Sequence, residues 1–157
     1  MIRAMTDADI GPIAAWMSAL PLWQRYNQTV VSLRTALAAA PVDDLLLVFA
    51  QPHPVGLAWC KPIGGFGRSP YLKWLAVDAA QQGRGIGVGL LNDLEGRLST
   101  TYDDLFLLVS DFNQAAHRFY RHYGYICVGQ LPGYVLPDVT EYLYWKHFDS
   151  KGGGSHA

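Results

Sequence analysis

Apolar residues fall along the chain in two different rhythms. Ile86, Leu90, Leu94 and Leu98 recur every four residues with Leu91 beside them, the stripe of an amphipathic helix over about residues 85–98. Ala116, Phe119, Tyr120 and Tyr123 mark the face of a second one. Continuous apolar runs at 45–50 and 55–60, joined by Gln51-Pro52-His53-Pro54, instead predict an antiparallel hairpin. Further strands are expected at 2–4, 71–77, 105–109, 125–128 and 141–148. Thr6 followed by Asp9 has the form of a capping box and starts a helix to about residue 20, with Pro21 as its stop. A helix over 30–40 ends at Pro41, and the glycine-rich stretch 64–70 reads as a mobile loop. Strand, two helices, three strands, helix, strand, helix and two strands make an α/β layered protein with a sheet of about seven strands and about four helices.

The 157 residues are 50% hydrophobic, enough for one domain with a substantial core. No linker interrupts residues 1–148, so a single domain is expected there. Residues 149–157 end in Gly-Gly-Gly-Ser-His-Ala and read as a flexible, appended tail outside the fold. A net charge of −1 supplies no field for nucleic acid or an anionic membrane, and no run of about 18 apolar residues suggests a span. Cys60 and Cys127 lack any metal or redox spacing and read as buried structural thiols of a reducing, cytoplasmic compartment. No metal is expected. Trp16, Trp23 and Tyr26 crowd the connection between the first helices, sealing a helix onto the sheet or lining a pocket.

Gln82-Gly83-Arg84-Gly85-Ile86-Gly87 lies between a strand and a helix start, where the first N–H groups have no partner within the helix. Glycines let the main chain approach closely and the helix dipole adds partial positive charge, so a phosphate or pyrophosphate is the natural ligand. Arg84 adds a charge-assisted contact. A P-loop would require Gly-Lys followed by Ser or Thr, and no lysine is present. A dinucleotide fingerprint would sit in a repeated βαβ pattern, which the upstream hairpin contradicts.

With Leu75-Ala76-Val77 before it, this segment resembles the Gln/Arg-x-x-Gly-x-Gly/Ala hallmark of the GCN5-related N-acetyltransferase superfamily. Asn113, Ala116, Phe119-Tyr120 and Gly124-Tyr125 are similar to the superfamily's second motif. The resemblance implies a mixed, mostly antiparallel sheet splayed between its fourth and fifth strands, and acetyl-CoA as the acyl donor. Main-chain groups of Leu75 and Val77 would hold the pantetheine arm, residues 82–87 the pyrophosphate, and Asn113 would line the opening, a position it can equally hold as a helix cap.

Acetyl transfer to an amine needs an oxyanion donor, a proton for the departing thiolate and a neutral nucleophile. A backbone N–H of strand 75–77 is the expected donor. Tyr120 matches the superfamily's proton-donating tyrosine, with a core tyrosine as the other reading. Asp78, Asp111, Glu141, Tyr71 and His117 are base candidates that spacing does not separate. An amine of pKa about 10.4 is neutral in roughly one molecule in 2,500 at pH 7, whereas an α-amine near 8 suffers only about a tenfold deficit. Residues 107–128 are similar to ribosomal-protein N-terminal acetyltransferases, which place an acidic residue or histidine where this chain has Leu108. Phe66 and Tyr134, with the aromatics near the N-terminus, suggest an apolar acceptor pocket. The expected acceptor is a small-molecule amine or a peptide N-terminus. A non-catalytic acyl-CoA sensing module is the alternative, and a homodimer is left open.

Overall fold

A computed structural model describes residues 1–149; the expected tail from residue 150 on lies outside the described residues. Seven strands follow the order β1-β2-β3-β4-β5-β7-β6. The chain forms two compact units, Met1–Lys61 with Lys73–Leu94, and Pro62–Leu72 with the described residues from Glu95 on.

In the first unit, β1 (Ile2–Ala4), β2 (Leu45–Ala50) and β3 (Pro54–Gly65, through Lys61) are antiparallel neighbours, with Leu47 opposite Ala58 and Ala4 opposite Leu47. Helices α1 (Asp7–Ser18), α2 (Pro21–Arg25) and α3 (Val30–Ala38) precede the hairpin. Ile13, Ala14, Met17, Leu33 and Leu37 from α1 and α3 meet Val48, Leu57, Trp59 and Ala76 in one buried cluster. The capping-box expectation holds in its reciprocal half: the Asp9 carboxylate accepts from Thr6 N–H at 2.8 Å. Arg3 clamps the same carboxylate through two hydrogen bonds of 2.7 and 2.9 Å.

Pro21 does not stop the first helix. α1 ends at Ser18, and Pro21 is the first residue of an additional helix, α2, because proline at that position gives up an N–H that would have no helical partner anyway. The chain therefore has five α-helices among the described residues. Trp23 is buried and Trp16 donates its indole N–H to the Pro54 carbonyl at 2.9 Å while packing against the core cluster, so both seal the core.

The second unit contains the start of β4 (Ser69–Val77), β5 (Asp104–Ser110), α5 (Gln114–His122), β6 (Ile126–Pro132) and β7 (Thr140–His147). β4 and β5 run parallel, with Tyr71 opposite Phe106 and Leu72 opposite Leu107. Parallel neighbours need a crossover, and α4 (Ile86–Leu98) is the helix between them in sequence. β5 pairs antiparallel with β7 from Asp104↔His147 to Ser110↔Glu141, and β7 pairs with β6.

The segment expected as a loop at 64–70 is instead a tight hairpin turn. Arg68 N–H donates to the Gly65 carbonyl at 3.1 Å, and Phe66 and Gly67 have φ of 61° and 69°. Positive φ at both central residues is the geometry whose twist matches a β-hairpin; the local glycine density hid it. Cys60 is buried as expected, but Cys127 is exposed, because β6 is an edge strand that alternates weakly and buries little.

Candidate active site

The glycine segment belongs to the first unit. Asp78 N–H donates to the Val55 carbonyl at 2.9 Å, anchoring the end of β4, and a single 3-10 turn (Ala79–Gln81) follows. The Gln82 side-chain amide donates back to the Val77 carbonyl at 3.1 Å. Gln82 therefore ties the loop to the strand it leaves. Gly83 and Gly85 have φ of 81° and 80°, where an L side chain is strained; Gly87 lies inside the first turn of α4. Residues 82–85 are exposed and Ile86 is buried, so the helix is pinned by its apolar face while the turn faces outward. A Cβ built on Gly83 meets nothing within 4 Å. An open main-chain turn, the N–H groups of a helix's first turn, which have no partner within the helix, and the Arg84 guanidinium fit a pyrophosphate. On β4, Ala76 is buried and Leu75 and Val77 are partly exposed.

Asn113 and Tyr120 belong to the second unit, on α5. Asn113 is the N-cap: its side-chain oxygen accepts from Ala116 N–H at 3.2 Å. Tyr120 is 8% exposed and packs edge-on against Tyr125 and Phe119 at 5.5 and 5.1 Å. Burial, with a smaller contribution from Tyr71, raises its pKa far above the ordinary phenol value. It stays protonated at physiological pH, as a proton donor must.

The base candidates fall into different settings. His117 is buried; its Nε2–H donates to the Ser110 carbonyl at 3.1 Å, and its Nδ1 lies 2.7 Å from the Tyr144 hydroxyl. A carbonyl can only accept, so neutral His117 carries its proton on Nε2 and accepts from Tyr144. Both nitrogens are thus committed to holding α5 on the strands. Asp111 accepts from Thr140 N–H at 3.0 Å, and Asp78 accepts from Ala80 N–H at 3.3 Å. Glu141 is buried, with the Ser110 hydroxyl 3.4 and 3.5 Å from its two oxygens. Burial first, then the charges of Glu141 and Tyr134, push the Tyr71 phenol up to about 12. Tyr71, Tyr134 and Glu141 are therefore electrostatic neighbours, although nothing in their sequence spacing links them. Ser110, Phe106 and Trp145 escaped the sequence reading, since only the register of β5 and β7 reveals them. Among the described residues, no three of His, Cys, Asp and Glu gather as a metal site, and no helix is long and apolar enough to cross a membrane.

A sequence model of the acetyltransferase (GNAT) family matches residues 13–125. The chain belongs to that family and is an acyltransferase. Solved structures share the fold at low identity. The ribosomal-protein-alanine N-acetyltransferase of Brucella melitensis superposes with a TM-score of 0.78 at 22% identity, covering 94% of this chain and 99% of that one. Ard1 from Thermoplasma volcanium gives 0.75 at 20%, covering 94% and 96%. An aminoglycoside 6'-N-acetyltransferase crystallised with coenzyme A gives 0.75 at 17%, covering 98% and 99%. The family draws its acetyl group from acetyl-CoA.

Proposed function

We propose that residues 1–148 act as one catalytic domain that transfers an acetyl group from acetyl-CoA to a primary amine of a small molecule or a peptide N-terminus. Residues 82–87 receive the pyrophosphate through main-chain N–H groups and Arg84, and the main chain of Leu75, Ala76 and Val77 receives the pantetheine arm and supplies the oxyanion donor. A neutral amine nitrogen bonds to the thioester carbonyl carbon, the carbon–sulfur bond breaks, the thiolate takes the proton of Tyr120, and the proton that the nitrogen gives up on becoming an amide restores the Tyr120 phenol. Asn113 holds the start of the helix that carries Tyr120. The observation that carries this reading is the family match over residues 13–125, which takes in the glycine turn, Asn113 and the buried Tyr120.

The test is release of free coenzyme A thiol from acetyl-CoA across polyamines, amino acids, aminoglycosides and short peptides, with wild type and Tyr120→Phe compared. Turnover that falls in the variant while acetyl-CoA affinity holds supports the assignment. Acetyl-CoA binding without turnover on any amine would favour a sensing role.

A further inference from the structure

The strands β5 and β7 have one face that α5 does not occupy. Alternation along β5 puts Phe106, Leu108 and Ser110 on one side. The register Phe106↔Trp145, Leu108↔Leu143 and Ser110↔Glu141 places their β7 partners beside them. Tyr71 joins from β4 as the partner of Phe106. The opposite side carries Tyr142 and Tyr144, whose rings lie 5.1 and 5.6 Å from that of His117, so α5 packs there. On the first side, Phe106, Leu108, Leu143 and Trp145 are only half-buried. They form an apolar floor.

The two ends of this floor differ. At one end Phe66 stands 79% exposed at a φ of 61°, with its ring edge-on to Phe106 at 5.3 Å. A bulky side chain in the left-handed region is an outlier that the turn itself does not require, since a glycine would adopt that φ freely. At the other end lie the buried Ser110 and Glu141, and the Glu141 charge reaches Tyr71. The surface thus runs from an exposed aromatic, across aliphatic and aromatic side chains, to a carboxylate.

Building on the acetyl-transfer reading above, we propose that this surface is the acceptor site and that the acceptor is a primary amine carrying one positive charge on an aromatic or branched apolar body. The body lies on Phe106, Leu108, Leu143 and Trp145 beneath Phe66, and its ammonium points toward the Ser110–Glu141 end, where the Glu141 carboxylate takes one proton and leaves the neutral nitrogen that attacks the thioester. Charge complementarity selects a cation there. The floor selects against a second one, because each further ammonium laid on apolar surface loses hydration without a counter-charge. A polar backbone or sugar ring meets the same penalty at its hydroxyl and amide groups.

Coenzyme A release would be followed with 2-phenylethylamine, spermidine and kanamycin as probes, in wild type, Phe66→Ala and Leu108→Glu, with acetyl-CoA binding measured separately. The expected result is a kcat/KM for 2-phenylethylamine at least about tenfold above the other probes, and a KM raised about tenfold in both variants, the scale of a lost apolar contact in a pocket. Acetyl-CoA affinity stays unchanged. Phe66 lies on an exposed turn, so its variant keeps the test valid should Leu108→Glu fail to fold. Preference for spermidine or kanamycin overturns the inference, as does a wild-type KM in Phe66→Ala. Absence of release with every probe, while acetyl-CoA still binds, overturns the acceptor assignment alone. Failure of acetyl-CoA to bind wild type overturns the acetyl-transfer reading on which it rests.

Discussion

Residues 82–87 and the second unit's strands β5 and β7 present polar groups by opposite means. The glycine turn offers main-chain N–H groups, so in the proposed reading its chemistry depends on φ values of about 80° at Gly83 and Gly85 and, Arg84 apart, little on side-chain identity. The strand pair uses side chains. Its His117, Ser110, Tyr144 and Glu141 matter only through the register that brings Ser110 opposite Glu141 and through the 2.7 Å contact of His117 with Tyr144. A main-chain site tolerates sequence change wherever the backbone is preserved. A side-chain site loses a partner with each substitution.

The largest expected effect is at Tyr120. Replacing it with Phe should lower kcat by about a hundredfold or more, the usual scale for a general acid, and leave the acetyl-CoA dissociation constant near wild type. A kcat within about twofold of wild type would return Tyr120 to a core role. Next comes Gly83→Ala. Its Cβ meets nothing within 4 Å, so the substitution tests backbone conformation alone; about 1–2 kcal/mol of left-handed strain should weaken acetyl-CoA binding by roughly tenfold, read by calorimetry. Unchanged affinity would show that the turn does not need its φ to hold the ligand.

His117→Leu isolates the side-chain network. It leaves the Ser110 carbonyl and the Tyr144 hydroxyl without their imidazole partner, at a cost of about 1–3 kcal/mol. At about 2–4 °C per kcal/mol for a chain of this size, thermal unfolding should report a clear drop in Tm. A Tm equal to wild type would mean that the network is not holding α5.

The smallest effect concerns Asp9, an ion pair of the first unit remote in sequence from both regions. The hydrogen bonds from Arg3, opposed by burial, hold the Asp9 carboxyl below the usual carboxylate value. A lowered folded-state pKa means that the contribution is present above the unfolded value near about 4 and is lost as pH falls through the lower folded one. Urea denaturation from pH 6 to pH 3 should show an acid limb that is shallower in Asp9→Asn.

Much of the fold was legible because local patterns were unambiguous. The four-residue recurrence of Ile86, Leu90, Leu94 and Leu98 located α4 to within one residue, and the run Leu45–Ala50 matched β2 at both ends. Punctuation misled where one residue type has two uses. Pro21 opens a helix as readily as it ends one, and the glycines near residue 65 belong to a hairpin turn shorter than a loop. Of the candidate site, the turn at 82–87 could be read because glycine spacing is a direct record of backbone conformation. Asn113 could be read as a cap for the same local reason, and it is one.

By itself, then, the sequence determined the periodic elements, the open glycine turn before α4 and the family to which Asn113 through Tyr125 point, all of them properties written within about a dozen neighbouring residues. Tertiary structure decided what depends on strand register: that Glu141 lies beside Ser110, that His117 spends both ring nitrogens on the strands it packs against, and that Phe106, Leu108, Leu143 and Trp145 share one half-buried face. Register is fixed by which side chains can be buried together across tens of residues, and no short stretch of the chain records that.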